Sequence, residues 1–290
     1  MPGLKKLVAE ELSTPVDPRV VKIAAAIAAK HGGASRAVLF YGSCLRQRVL
    51  EGGMLDFYLI VSDYREAYAK GWLAAANRLI PPNVFYFEQE GLASKYAVLS
   101  EKDFAHECSQ DAWTVSTAAR FAQPSRLVWS ANVSARERTI ETVSEAAPAL
   151  LSWTRSVAPL DATALDLWEL AFKLTFASEL RAERSGRPAA IVHADPKRYE
   201  LFSRSIGAVP ASKCRTGARW WRNKQRLGKL HSVARLAKAS LTFSNGADYI
   251  AWKINRHSGT DIRLKPWQKR HPLLAAITLL PRLLSSGAVR

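Results

Sequence analysis

An α+β sheet domain, then a helical domain, then a basic C-terminal region is the architecture that the 290-residue sequence predicts. Short β-rich runs alternate irregularly with amphipathic stretches as far as Ala131, the periodicity turns helical from Asn132, and cations accumulate after Pro210. These shifts place the domains at residues 1–131, 132–212 and 213–290. Apolar residues make up 48% of the chain, enough to bury a core and to exclude a disordered tail protein. Cys44, Cys108 and Cys214 are scattered and odd in number, which excludes a disulfide framework or a CxxC metal knuckle and fits a reducing compartment.

Residues 20–29 are apolar but follow Glu10, Glu11 and Asp17 and run into Lys30, so they read as an amphipathic first helix and not as a cleavable leader. VLFYGS (residues 38–43) and MLDFYLIV (54–61) read as strands joined by the polar linker CLRQRVLEGG. A helix over residues 64–79 follows, stopped by Pro81 and Pro82. NVFYFE and KYAVLS are the next two strands. Residues 101–121 carry Phe104, Trp113, Val115 and Ala119 among polar positions and read as helix, and RLVWS closes the sheet. Beyond it, helices are expected over residues 135–157 and 165–184, the second ended by SGRP, with a short one over 199–206 and a basic one over 218–239.

The chemistry is concentrated at Gly42, Ser43 and Asp56. A Gly-Ser turn at a strand end lets backbone N–H groups and a hydroxyl approach a phosphate, because no Cβ stands in the way. Asp56, 13 positions after Ser43, interrupts an apolar strand, and such an acid costs free energy unless it meets something positive. A magnesium ion carrying a nucleoside triphosphate satisfies both conditions. The competing reading is a tight turn beside a capped, buried aspartate. The six histidines form no HxxxH or HxH pair and suggest no zinc site.

Gly-Ser followed by a spacer and an acid on a strand resembles the polymerase-β-like nucleotidyltransferase signature, except that the signature's second carboxylate position is Tyr58 here. YGSCLRQ (residues 41–47), MLDFYLIVSD (54–63), SKYAVLS (94–100) and FASELRAE (176–183) resemble, in order, blocks of the mitochondrial-type phosphatidate cytidylyltransferase family, the translocator assembly and maintenance proteins. The resemblance implies a nucleotidyltransferase sheet domain that uses Mg²⁺ to convert CTP and phosphatidate into CDP-diacylglycerol and pyrophosphate in phospholipid synthesis. It implies Asp56, Lys95 and Glu179 as the catalytic set. Gly42 and Ser43 would hold the triphosphate, and Asp56 the magnesium. Lys95 would sit on the phosphates, offsetting charge on leaving pyrophosphate. Glu179 would stand in for the missing carboxylate as a second metal ligand, and Arg181 would reach a phosphate of either substrate. Two departures are Cys44, where the family has glycine, and Ser178-Glu179-Leu180-Arg181, where it has Gly-Asp-x-Arg. Competing structural roles are a solvated lysine ahead of a strand for Lys95 and surface i,i+4 pairing of Glu179 and Arg181 with Glu183 and Arg184. For Asp63 a helix cap is preferred to a metal ligand.

From Lys213 to Arg290 there are 17 Lys and Arg against two acids, Asp248 and Asp261, so most of the chain's charge of +17 lies at one end. An anionic partner is implied there. RWWRNKQRLGK (residues 219–229) interleaves aromatics with cations as a nucleic-acid surface does. Trp252, Trp267 and HPLLAAITLLPRLL (271–284) add interfacial and apolar character, so a membrane surface carrying phosphatidate or another anionic lipid is preferred to nucleic acid. The apolar segment is too short to span a bilayer. The expected location is cytoplasmic, peripheral on the inner face of a membrane, with no signal peptide and no transmembrane span. Two other functions remain open: nucleotidyl transfer to another phosphorylated lipid, a protein or an RNA, and a degenerate nucleotide-binding scaffold, which Tyr58 favours.

Overall fold

Five β-rich runs form one sheet: β1 (Ser35–Tyr41), β2 (Leu55–Val61), β3 (Asn83–Gln89), β4 (Leu92–Ser100) and β5 (Ser125–Ser130), in the order β3-β4-β2-β1-β5. The computed structural model describes residues 3–179, 187–207 and 217–242, together with Lys265, Pro266 and Gln268. β2 and β4 pair in parallel, and every other pairing is antiparallel. A parallel pair needs a crossover, which here runs through α4 (Tyr64–Ala67), α5 (Gly71–Leu79) and β3. β3 and β4 are joined by Glu90 and Gly91 at φ 53° and 73°, the doubly left-handed turn whose twist matches that of the strands.

Both faces of the sheet are covered, which explains its nearly continuous apolar strands. Val38, Phe40, Phe57, Leu59 and Val98 face one core with α2 (Pro18–Ala29). Leu39, Tyr58, Ile60 and Leu99 face the other, built with α1 (Leu4–Leu12), α6 (Glu101–Cys108), α7 (Ser116–Phe121) and α8 (Val133–Arg155). That second core continues through Trp153, Trp168, Phe172, Tyr199 and Trp221 into α9 (Ala164–Phe176), α10 (Arg187–His193), α11 (Pro196–Ile206) and α12 (Ala218–Thr242). The α+β architecture expected from sequence is therefore present.

Several local expectations change. The linker after β1 holds a short helix, α3 (Ser43–Gln47), and α1 and α10 are additional. The helix expected over residues 64–79 is broken, because Tyr68 adopts an extended backbone and turns its ring into the core. The one expected over residues 101–121 stops at Cys108 and restarts at Ser116. α9 ends at Phe176, so Glu179 lies beyond the helix on which it was expected. Asp63 caps α4 as anticipated, accepting from the Arg65 N–H at 2.7 Å. Among the described residues no helix is long and apolar enough to cross a membrane.

Candidate active site

Ladder register carries the site. Lys95, Asp56, Tyr41 and Ser125 are direct partners across β4, β2, β1 and β5, so their side chains share one face at one end of the sheet. Lys95 lies inside β4 and not ahead of it, and its Nζ stands 3.1 Å from Asp56 Oδ1. The Asp56 side chain is 17% exposed, so the ion pair is shielded but open to an incoming group.

On its other side Asp56 meets Gly42. The glycine has φ 93°, and a Cβ built on it would sit 2.5 Å from Asp56 Oδ2. The close approach of carboxylate and turn thus depends on glycine, whereas the Gly-Ser motif was expected to make room for a phosphate. Cys44, which departs from the family pattern, turns its buried thiol away from the turn and donates to the Met54 carbonyl at 3.4 Å.

Tyr58, two residues along from Asp56, belongs to a buried aromatic group in which its ring lies 5.4 Å from Tyr41 and 5.2 Å from Phe121. Burial, and after it the charge of Asp56, pushes the Tyr41 phenol well above its ordinary range. Arg120, on α7, lies within reach of both tyrosines and pairs with Glu179, Nη2 to Oε1, at 2.9 Å. Burial opposes the Arg120 charge, yet Glu179 and then the tyrosine hydroxyls hold the guanidinium above its ordinary value. Glu179, with its side chain only 11% exposed, is therefore a buried partner and not one of a run of surface i,i+4 pairs. Lys95, Asp56, Tyr41, Tyr58, Arg120 and Glu179 form one continuous polar and aromatic band. Arg181 lies outside the described residues.

Sequence reasoning missed Arg120 and the lid over the band, α12. Arg235 on α12 donates from Nε to the Pro81 carbonyl at 2.7 Å, and Tyr58, Arg120, Glu179 and Glu107 all lie within its electrostatic reach. Gly228 of the same helix rests directly on the backbone carbonyl of Ser178, fixing the turn that carries Glu179. A single cation within the apolar run AARFAQ is the one sequence signal that marks Arg120. Within RWWRNKQRLGK the tryptophans face inward: Trp221 is buried with Nε1 donating to the Trp153 carbonyl at 3.1 Å, and Trp220 packs on Trp153. That stretch is thus no array of exposed bases-stacking rings.

His193 and Asp195, whose relation to the pocket sequence left open, take structural partners: His193 meets Glu169 at 2.7 Å and Asp195 caps α11. A cavity of about 380 Å³ elsewhere, lined by Tyr68, Ala74, Arg65 and Arg78, contains none of the band's residues.

Among the described residues no three His, Cys, Asp or Glu side chains gather into a metal cluster. Magnesium does not require one, since it keeps several waters and takes one or two carboxylates together with substrate phosphates. Asp56, partly exposed beside the Gly42 turn, offers one carboxylate donor of that kind. A comparison of the chain with known protein-family models finds no match, and a comparison with curated proteins finds none either.

Proposed function

We propose that the protein is a magnesium-dependent nucleotidyltransferase of the polymerase-β-like kind, transferring a cytidylyl group from CTP to phosphatidate. The observation that carries this reading is the Asp56 carboxylate held between Lys95 Nζ and the bare Cα of Gly42. Asp56 and the triphosphate would hold magnesium, which when bound neutralises phosphate charge and orients the α-phosphorus. The amides of the Gly42-Ser43 turn and the Ser43 hydroxyl bind the β- and γ-phosphates. Lys95 exchanges part of its contact with Asp56 for the nucleotide and stabilises the charge that builds on the departing group. An acceptor phosphate oxygen attacks the α-phosphorus, the bond to the β-phosphate oxygen breaks, and pyrophosphate leaves with the electron pair. Most of the rate in such chemistry comes from positioning and charge neutralisation, which suits a site with no nucleophile of its own. Arg120 pairs with Glu179 beside the band, from which Glu179 would serve as the second carboxylate.

The outward face of α12 supports contact with a bilayer. Arg219, Arg222, Arg226 and Lys229 are exposed there together with Leu227, Leu230 and Val233. The protein would work peripherally, on the cytoplasmic face of an anionic membrane, where its acceptor resides. Trp252, Trp267 and residues 271–284 lie outside the described residues. A second reading, a nucleotide-binding scaffold without turnover, draws on Tyr58 being locked in the aromatic cluster where the signature has an acid.

Incubation with each of four labelled nucleoside triphosphates, phosphatidate vesicles and Mg²⁺ separates the readings. Label from CTP entering the lipid is the expected result. Saturable nucleotide binding with no labelled product and no pyrophosphate would leave only the scaffold.

A further inference from the structure

On the side of β1 away from Asp56, four guanidinium groups surround one end of β5. Arg46 is on α3, Arg48 follows α3 with a left-handed backbone at φ 55°, Arg126 is on β5 and Arg198 on α11. Arg198 is fully employed. It pairs with Glu11 through Nε and, at 3.0 Å, Nη2, donates to the Ala122 carbonyl at 3.0 Å and stacks over Phe202. Arg46 donates to Gln123 Oε1 at 3.0 Å. Arg126 is the anomaly: Nη1 reaches only the carbonyl of the preceding Ser125, at 2.8 Å, and Nε is buried with no partner. Among the described residues no carboxylate pairs with Arg48 or Arg126, and Glu11, the acid nearest to Arg126, is already taken by Arg198.

Burial holds the Arg126 guanidinium below its ordinary value, and the like charges of Arg198 and Arg48 add to that; only Glu11 works the other way. The hydroxyl of wholly buried Tyr199, which lies within the electrostatic reach of Arg46 and Arg198, also lacks a partner. Each unsatisfied buried donor costs about 1–3 kcal/mol. The Arg126 Nε–H can only donate, and the cations around it repel one another. Such a cluster is stabilised by an anion with several acceptor oxygens, and the planar fork of arginine suits a phosphate.

We infer that Arg48 and Arg126, flanked by Arg46, form an anion site for a phosphomonoester, separate from the Asp56–Lys95 pair. The site does not depend on nucleotidyl transfer and stands whether or not that reaction occurs. Its ligand is a terminal phosphate with two free charges, borne by a lipid headgroup or by a soluble metabolite. Arg48 is exposed and Arg126 half-buried, so the phosphate enters from solvent and reaches the orphaned Nε behind.

Isothermal titration of the full chain with inorganic phosphate and with glycerol 3-phosphate, and flotation with phosphatidylcholine vesicles with and without phosphatidate, test the site. Saturable binding of either probe class is expected, weakened about tenfold or more by Arg48→Gln with Arg126→Gln. Saturating CTP with Mg²⁺ should leave it unchanged, which separates this site from the nucleotide site. Glycerol 3-phosphate should also raise the melting temperature of the parent and not of the double variant. Should the double variant fail to fold, Arg48→Gln alone, altering an exposed side chain, carries the comparison. Binding of the soluble probe that the double variant loses assigns a metabolite, and phosphatidate-vesicle binding that the double variant loses assigns a lipid; vesicle binding that persists in the double variant belongs to α12 and counts against a lipid at this site. No saturable binding by the parent, or equal binding by the double variant, overturns it.

Discussion

Gly42 has no room for a side chain, and this fixes where the Asp56 carboxylate sits. Gly42→Ala adds a left-handed backbone penalty to a collision with that carboxylate, and a loss of about 1–3 kcal/mol in urea unfolding is expected. An unchanged midpoint would place the carboxylate elsewhere. Glu179→Gln leaves the Arg120 guanidinium without its charge partner in a largely buried place, and a loss of about 3 kcal/mol is expected, with weaker magnesium-dependent turnover. Full stability in that variant would make the pair a bystander. The Gly-Ser turn and Asp56 were legible in the sequence because an acid in an apolar strand and a glycine at its neighbour's end are both costly unless used. Arg120 was not, since its significance depends on Glu179, 59 positions later, folding back beside it.

Elements that rest on one continuous pattern, such as α2, α8 and the five strands, were readable because periodicity and caps agree along their length. The break at Tyr68 was not, because a tertiary pull on Tyr68 outweighs local helix preference. α12 was visible as a helix, but its docking was hidden in Gly228, which in sequence is only a weak helix position. In an open helix Gly→Ala gains about 0.5–1 kcal/mol. Here the added Cβ would run into the Ser178 carbonyl oxygen, a backbone atom that cannot swing aside, so Gly228→Ala should lower the melting temperature despite the better propensity. A rise would mean that α12 does not rest on the Glu179 turn.

For the molecule as a whole, charge and burial meet where α12 crosses the edge of the sheet. Lys238 donates to the Ile80 and Pro82 carbonyls, and burial, aided by Arg235, presses its ammonium down to about 7 from 10.5. Between those values the unfolded chain keeps a proton that the folded chain has released. Stability should therefore rise with pH from about 7 toward 10.5, with the full penalty present below 7. Thermal unfolding across that window should follow this slope, and Lys238→Met should flatten it; a parent that loses stability over the same window would contradict the assignment. Composition revealed the charge asymmetry, but only the packing divides α12 into an inward face of Trp221, Arg235 and Lys238 and an outward face of cations and leucines. Binding to anionic vesicles through the outward face should weaken as salt rises, measurable by flotation.

The most direct test replaces a single oxygen. Asp56→Asn keeps the shape beside Gly42 and Lys95 but removes the charge, and magnesium-dependent transfer of labelled cytidylate to phosphatidate should be abolished in a variant that still folds. Turnover equal to that of the parent would contradict the assignment of Asp56 and the function built on it.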